Sequence, residues 1–234
     1  MPRMPFRARC YNPHGMAETF EQRLKRYTDQ PATDSLGWLT VMLQNYHAVE
    51  LRLARENKLY HCVYLLAHSI IQTVSETMFG LTGLAGTRFF LENFADGASE
   101  DLKFSRIAAE IHDVRNIIAH RGYSKTQHEV QYFVDDIAEG WRREADGSLA
   151  INPSLYGIRI EDTFRHSTLY STFRRQDPLQ LLRLKYRFIR QWLDLDKNDA
   201  IAQAIKAFDK LDQTADLQLA DEAVRKQIYA VYAL

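Results

Sequence analysis

IAAEIHDVRNIIAHRGYS, residues 107–124, reads as one amphipathic helix that stops at Gly122. Ile107, Ile111, Val114 and Ile118 recur at steps of four, three and four, the spacing of a helix face turned to a core. At about 100° per residue these four fall within about 60° of one another. With Ile107 at zero, Arg115 falls near about 80°, His112 near about 140°, Asn116 near about 180°, His120 near about 220° and Asp113 near about 240°. A cation, two imidazoles, an amide and a carboxylate therefore share the arc that faces away from the core. Surface arcs are ordinarily filled with Lys and Glu. This one carries groups able to hold an anion and to move a proton.

The rest of the chain suits a helical protein. Its 234 residues are 46% hydrophobic and 26% charged, enough apolar content for a sizeable core. Thirty basic side chains balance thirty acidic ones, so global charge gives no support for a general nucleic-acid binder. Charge is less even locally. Residues 159–190 hold eight Arg or Lys against three acids, and residues 191–234 hold five against eight. Scattered helix-surface charge is the simpler account of that asymmetry. Cys10 and Cys62 lack CxxC spacing, which argues against a disulfide framework or a zinc finger. There is no apolar run of 18 residues, and residues 1–15 carry basic groups without an apolar signal segment. The expectation is a cytoplasmic protein with an N-terminal arm over 1–15 and a single domain over 16–234.

Periodicity predicts helices over about 16–27, 36–56, 58–79, 100–121, 162–174, 178–194, 198–212 and 217–232, with a short one near Arg88–Asn93 in the Gly-rich stretch 80–99. Asp34-Ser35 reads as a helix start, Gly80 as a stop, and Asp177-Pro178 as a cap followed by Pro at the first helical position. Leu39, Leu43, Tyr46, Val49 and Leu53 form the expected inner stripe of the 36–56 helix. Between 129 and 160 the period changes. A strand near Gln131–Val134, the turn signal Asp146-Gly147 and the breaks at Asn152-Pro153 and Gly157 predict a small β-hairpin insertion. The predicted class is an all-α helical bundle carrying that insertion.

Common catalytic signatures such as GxxxxGK[ST], GxGxxG, HExxH and GxSxG are absent from the sequence. His112 and His120 stand eight residues apart, about 12 Å along a helix, too far to share one metal ion. His61, Cys62 and His68 sit in an apolar helix and read as helix-face or core residues. Tyr60, Tyr64, Phe79, Phe89 and Phe90 read as core packing. No metal and no cofactor is expected. What remains is Arg115-Asn116-Ile117-Ile118-Ala119-His120, an Arg and a His with four residues between and a polar residue directly after the Arg.

That string resembles the R-x(4–6)-H signature of the HEPN superfamily, in which it closes a long helix of an all-α domain. The resemblance covers roughly residues 36–124. It implies a metal-independent endoribonuclease of toxin or anti-phage defence type, with a composite site at a homodimer interface. In that reading Arg115, Asn116 and His120 are catalytic, and His112, Asp113, Arg121 and Tyr123 contact the RNA. It also implies a possible cognate antitoxin or other protein partner, and no membrane. The residue chemistry is compatible. Metal-free RNA cleavage needs one group to take the 2′-hydroxyl proton and one to protonate the 5′-oxygen, tasks that imidazoles perform near neutral pH. A guanidinium fork suits the charge that grows on the phosphorus oxygens. Arg115 and His120 lie about 140° apart on one helix, so a single copy cannot easily close both on one phosphate, whereas two facing copies can.

Other readings stay open. Arg115 could pair with Glu110, Glu100 or another acid, and His120 could cap the helix end with Arg121 and Gly122. Members of the superfamily also serve as non-catalytic nucleic-acid or protein interaction modules. Arg165, Arg174, Arg175, Arg183 and Arg187 could extend an RNA surface, with solvated helix face as the default. On the 178–194 helix the expected inner stripe is Leu181, Leu184, Phe188 and Trp192, which turns Arg183, Arg187 and Arg190 outward.

Overall fold

A computed structural model describes residues 18–121, 130–131, 137–165, 169, 177–195 and 199–233. The expected N-terminal arm lies outside them. The chain is mostly helical with one small sheet, and it forms two compact units. Among the described residues the smaller takes those up to Pro31 and from Ile189 onward. The larger is Ala32–Phe188.

In the smaller unit α1, Phe20–Asp29, begins on a capping box. Gln22 N–H donates to Thr19 Oγ1 (3.2 Å) and Thr19 N–H donates to Gln22 Oε1 (2.9 Å). The carboxylate of Asp29 at its far end accepts from Arg225 Nη2 (2.7 Å) and from the Tyr229 hydroxyl, both on the last helix, Leu217–Tyr232.

The larger unit is built around α4, Tyr60–Val74, which packs against α3 (Ala48–Glu56), α5 (Gly83–Phe90), α6 (Ala108–Arg121) and α7 (Pro153–Arg165). Val63, Ala67, Ile70, Ile71 and Val74 are fully buried, as expected of a helix covered on several sides. A π turn, Ser75–Phe79, carries α4 to Gly80, whose left-handed backbone (φ 70°) ends the helix as the sequence predicts.

The 36–56 region departs from expectation in register. One helical run extends from Ala32 to Glu56, so Asp34-Ser35 lies inside the first turn and Ser35 is buried. The run comprises α2, Ala32–Met42, a π turn at Leu43–His47, and α3. The π turn adds one residue to a helical turn. The buried row is accordingly Leu39, Leu43, Ala48, Leu51 and Ala54, with a step of five across the π turn. Tyr46 and Leu53, predicted inside, are exposed and join Trp38 and Val41 on the outer face.

The hairpin insertion is real but shorter than predicted. β2, Trp141–Arg143, and β3, Leu149–Ile151, are antiparallel around Asp146-Gly147, with Gly147 at φ 86° and Ser148 N–H donating to Asp146 Oδ1 (2.9 Å). β1, Val130–Gln131, lies parallel to β3. The segment 153–160 is not part of the insertion. Asn152 caps a helix, its Oδ1 accepting from Leu155 N–H (3.0 Å), and Pro153 takes the first helical position. Asn152-Pro153 is thus a helix start rather than a loop break, and α7 opens nine residues before the predicted 162. Gly157 sits within it, where an added Cβ would come within 3.2 Å of Val63 on α4.

Helix α8, Pro178–Trp192, starts on Asp177, whose Oδ1 accepts from Leu179 N–H (3.0 Å), as predicted. Its inner stripe is broader than expected. Leu184 and Phe188 are buried but so are Lys185, Tyr186 and Arg187, while Trp192 is exposed. Arg187 is therefore not an outward basic residue. Its guanidinium lies against Gly80 and donates from Nη1 to Met78 O (3.3 Å), satisfying a carbonyl at the end of the α4 run. The side chain of Arg165, and Arg174 and Arg175 entirely, lie outside the described residues.

Candidate functional site

Helix α6 is fixed along its length. Two short 3-10 turns, Glu100–Leu102 and Phe104–Ile107, precede it, so the α-helix proper begins at Ala108 rather than near 100. Asp96 anchors this entry, accepting from both the backbone N–H and the hydroxyl of Ser105. Arg159 of α7 in turn donates to the carbonyls of Ala95 (2.7 Å) and Asp96 (2.8 Å), holding the end of the preceding π turn, Leu91–Ala95. Ile107, Ile111, Val114 and Ile118 are all buried against the larger unit's core. Each such side chain contributes about 1.5–3 kcal/mol on burial, which pins the rotation of the helix and with it the direction of the polar arc.

Arg115 is half-buried, and its Nη1 donates to Asn116 Oδ1 at 2.7 Å. Neither acid considered as its partner takes that role. Glu110 pairs with Arg143 of β2 at 2.8 Å, tying the hairpin to α6. Glu100 pairs with Lys103 and Arg106. Among the described residues Arg115 makes no ion pair, so its charge is held by an amide and left uncompensated by carboxylate.

Beside it stands a pair of imidazoles. His112 of α6 and His68 of α4 have ring centroids 5.2 Å apart and planes tilted by 53°. His68 is buried, and its Nδ1 has no hydrogen-bond partner among the described residues. Burial first, then the neighbouring charges of Arg115 and His112, push its pKa down to about 3, so its ring is neutral at physiological pH. Burial also lowers the pKa of His112; Arg115 adds to this, and Asp113 opposes it. The ring of His112 meets Thr87 of α5, with Nδ1 3.4 Å from Oγ1. Thr87 Oγ1 in turn lies 3.1 Å from Gly83 O and 3.2 Å from Gln72 Nε2. Gln72 Oε1 accepts from Gly83 N–H (3.0 Å), which makes the contact a closed α4–α5 network.

The sequence-predicted residues thus divide. Arg115, Asn116, His112 and Asp113 share one half-buried surface of α6. His120 and Arg121 lie in the last turn of α6, with side chains outside the described residues, and Tyr123 lies outside them altogether. Two contributors were not predicted for the site. The sequence reads His68 as a helix-face or core residue, and it is buried, but against His112. Thr87 carries no sequence signal at all. Among the described residues no cluster of three or more His, Cys, Asp and Glu is placed to hold a metal ion. No helix among them is long and apolar enough to cross a membrane. No family model matches the chain, and no curated protein or solved structure matches it.

Proposed function

We propose that the chain is a HEPN-type, metal-independent endoribonuclease of toxin or defence character, acting as a cytoplasmic homodimer. The observation that carries this reading is Arg115, a guanidinium in a half-buried setting, oriented by Asn116 and without an ion-pair partner among the described residues. A buried cation normally acquires a carboxylate, because desolvation is costly. A guanidinium held by an amide, with no carboxylate paired to it among the described residues, suits an anion that arrives from solution, and a phosphodiester is such an anion. In this reading Arg115 stabilises the charge on the phosphorus oxygens, Asn116 positions it, and His120 exchanges a proton with the reacting oxygens. The angle of about 140° between positions 115 and 120 on one helix supports a site that draws the two groups acting on one phosphate from two copies of the chain.

A second reading has its own support. Trp38, Val41, Tyr46 and Leu53 are exposed apolar residues along the helical run Ala32–Glu56, which suits a protein interaction module of the same fold with an inert motif. Incubation of the purified protein with RNA in chelator separates the two. The ribonuclease reading expects cleavage by the wild type and its loss in Arg115→Ala and His120→Ala. Equal cleavage by all three, or none by the wild type, sinks it.

A further inference from the structure

His112 lies three residues before Arg115, about 60° away on the helix, close enough for both to address one phosphate from a single chain. This sets it apart from His120. Its ring is also oriented from behind by two other helices. The Thr87 hydroxyl has one proton, and its shorter contact is the Gly83 carbonyl, an obligate acceptor at 3.1 Å. Gln72 Nε2 is an obligate donor to the same oxygen. Thr87 Oγ1 therefore accepts from His112, which places the imidazole proton on Nδ1 and leaves the lone pair on Nε2. The His68 ring packs against His112 and leaves it little freedom to turn.

We propose that His112 is the general base of the ribonuclease site, with His68 and Thr87 as its positioning residues. This rests on the ribonuclease reading above. His112 Nε2 takes the proton of the ribose 2′-hydroxyl as the 2′-oxygen bonds to phosphorus. The bond from phosphorus to the 5′-oxygen breaks, and that oxygen leaves with a proton from a second acid, the part given to His120. The products are a 2′,3′-cyclic phosphate and a 5′-hydroxyl, with no change of oxidation state. A base must be neutral to act. The groups that face His112 set this balance: His68 from α4, Thr87 from α5, and Arg115 and Asp113 on its own helix. Burial and Arg115 favour the neutral ring over the opposing Asp113.

The test uses the full chain, a labelled mixed-sequence single-stranded RNA, and its all-deoxy counterpart as the uncleavable control, in chelator across pH 4.5–8.5. The wild type should cleave the RNA alone, with the acid limb of kcat below pH 6.5. His112→Gln should lose about 10²–10⁴-fold in kcat with little change in KM, and that acid limb should vanish. Asp113→Asn should move the limb to lower pH. Thr87→Val should lower kcat while leaving KM unchanged. If His112→Gln melts well below the wild type, His112→Asn replaces it, since its amide can still donate to Thr87 but cannot act as a base. Full activity in a folded His112 variant, with Arg115→Ala inactive, overturns the proposal and leaves the ribonuclease reading standing. Cleavage that survives Arg115→Ala, or none by the wild type, overturns both.

Discussion

The imidazole of His68 on α4 lies 5.2 Å from that of His112 on α6, ring centroid to ring centroid, although the two are 44 positions apart in the chain. The apolar helix α4 and the polar arc of α6 thus bring two imidazoles together beside Arg115. The arrangement sets a neutral His68, and a His112 whose pKa burial lowers, next to a guanidinium with no carboxylate paired to it among the described residues.

Neutral burial of His68 makes stability fall in acid. Its folded pKa is near 3 against about 6.5 unfolded, so between these values the unfolded chain binds the extra proton. Stability from this group is full above pH 6.5 and declines below it, by about 1.4 kcal/mol per pH unit. Denaturant melts at pH 6.5, 5.5 and 4.5 should show a shallower decline for His68→Gln than for the wild type. Parallel declines would mean that the ring is protonated in the fold.

Arg115→Lys keeps the charge and loses the planar fork. If the fork grips phosphorus oxygens, RNA cleavage should drop by about 10²–10³-fold, the scale of losing one transition-state donor. The melting temperature should stay within a few degrees, because among the described residues the Arg115 side chain bonds its neighbour Asn116 and no other group. A large loss of melting temperature instead would assign Arg115 a structural duty.

The π turn at Leu43–His47 sets which leucine of α3 lies inside. Leu51 is 0% exposed and Leu53 is 52% exposed. Leu51→Ala should cost about 2–5 kcal/mol, and Leu53→Ala less than about 0.5 kcal/mol. Chemical denaturation of the two variants decides it. The reverse order would restore the unbroken 3.6-residue register.

Gly80→Ala should destabilise by more than about 1 kcal/mol. A left-handed backbone penalises any Cβ, and here that Cβ would sit 2.7 Å from Arg187 Nη2. Because the guanidinium donates to Met78 O, it cannot retreat without giving up a helix-end carbonyl. Thermal melts of Gly80→Ala and of Gly80→Ala with Arg187→Ala separate strain from clash.

Asn152→Ala removes the cap of α7 and the bond from Asn152 Nδ2 to Ile137 O (2.9 Å). The cap alone is worth about 0.5–2 kcal/mol, and Asn152→Asp should retain that part while losing the other. Equal stability of all three proteins would show that the helix starts elsewhere.

Legible along the chain were the helical class, the Gly80 stop, the Asp146-Gly147 turn, the Asp177-Pro178 start and the inner row of α6. All of these rest on local regularities: the 3.6-residue period, the freedom of glycine, and side chains that cap their own backbone. Of the polar arc read as facing away from the core, His112 instead packs on the buried His68 and Thr87. Tertiary structure decided what local regularity does not carry. The π turn shifted the register of α3 and turned Tyr46 and Leu53 outward, because one extra residue in a turn leaves the composition untouched. Asn152-Pro153 signals a break and a helix start equally well, and packing of α7 on α3 and α4 selected the helix. Arg187 reads as an outward cation, but the open carbonyl of Met78 drew it inward. His68 reads as one more core residue. Only the packing of α4 on α6 put its ring against His112, since contacts between distant segments are set by how whole helix faces fit together, not by the spacing of residues along either one.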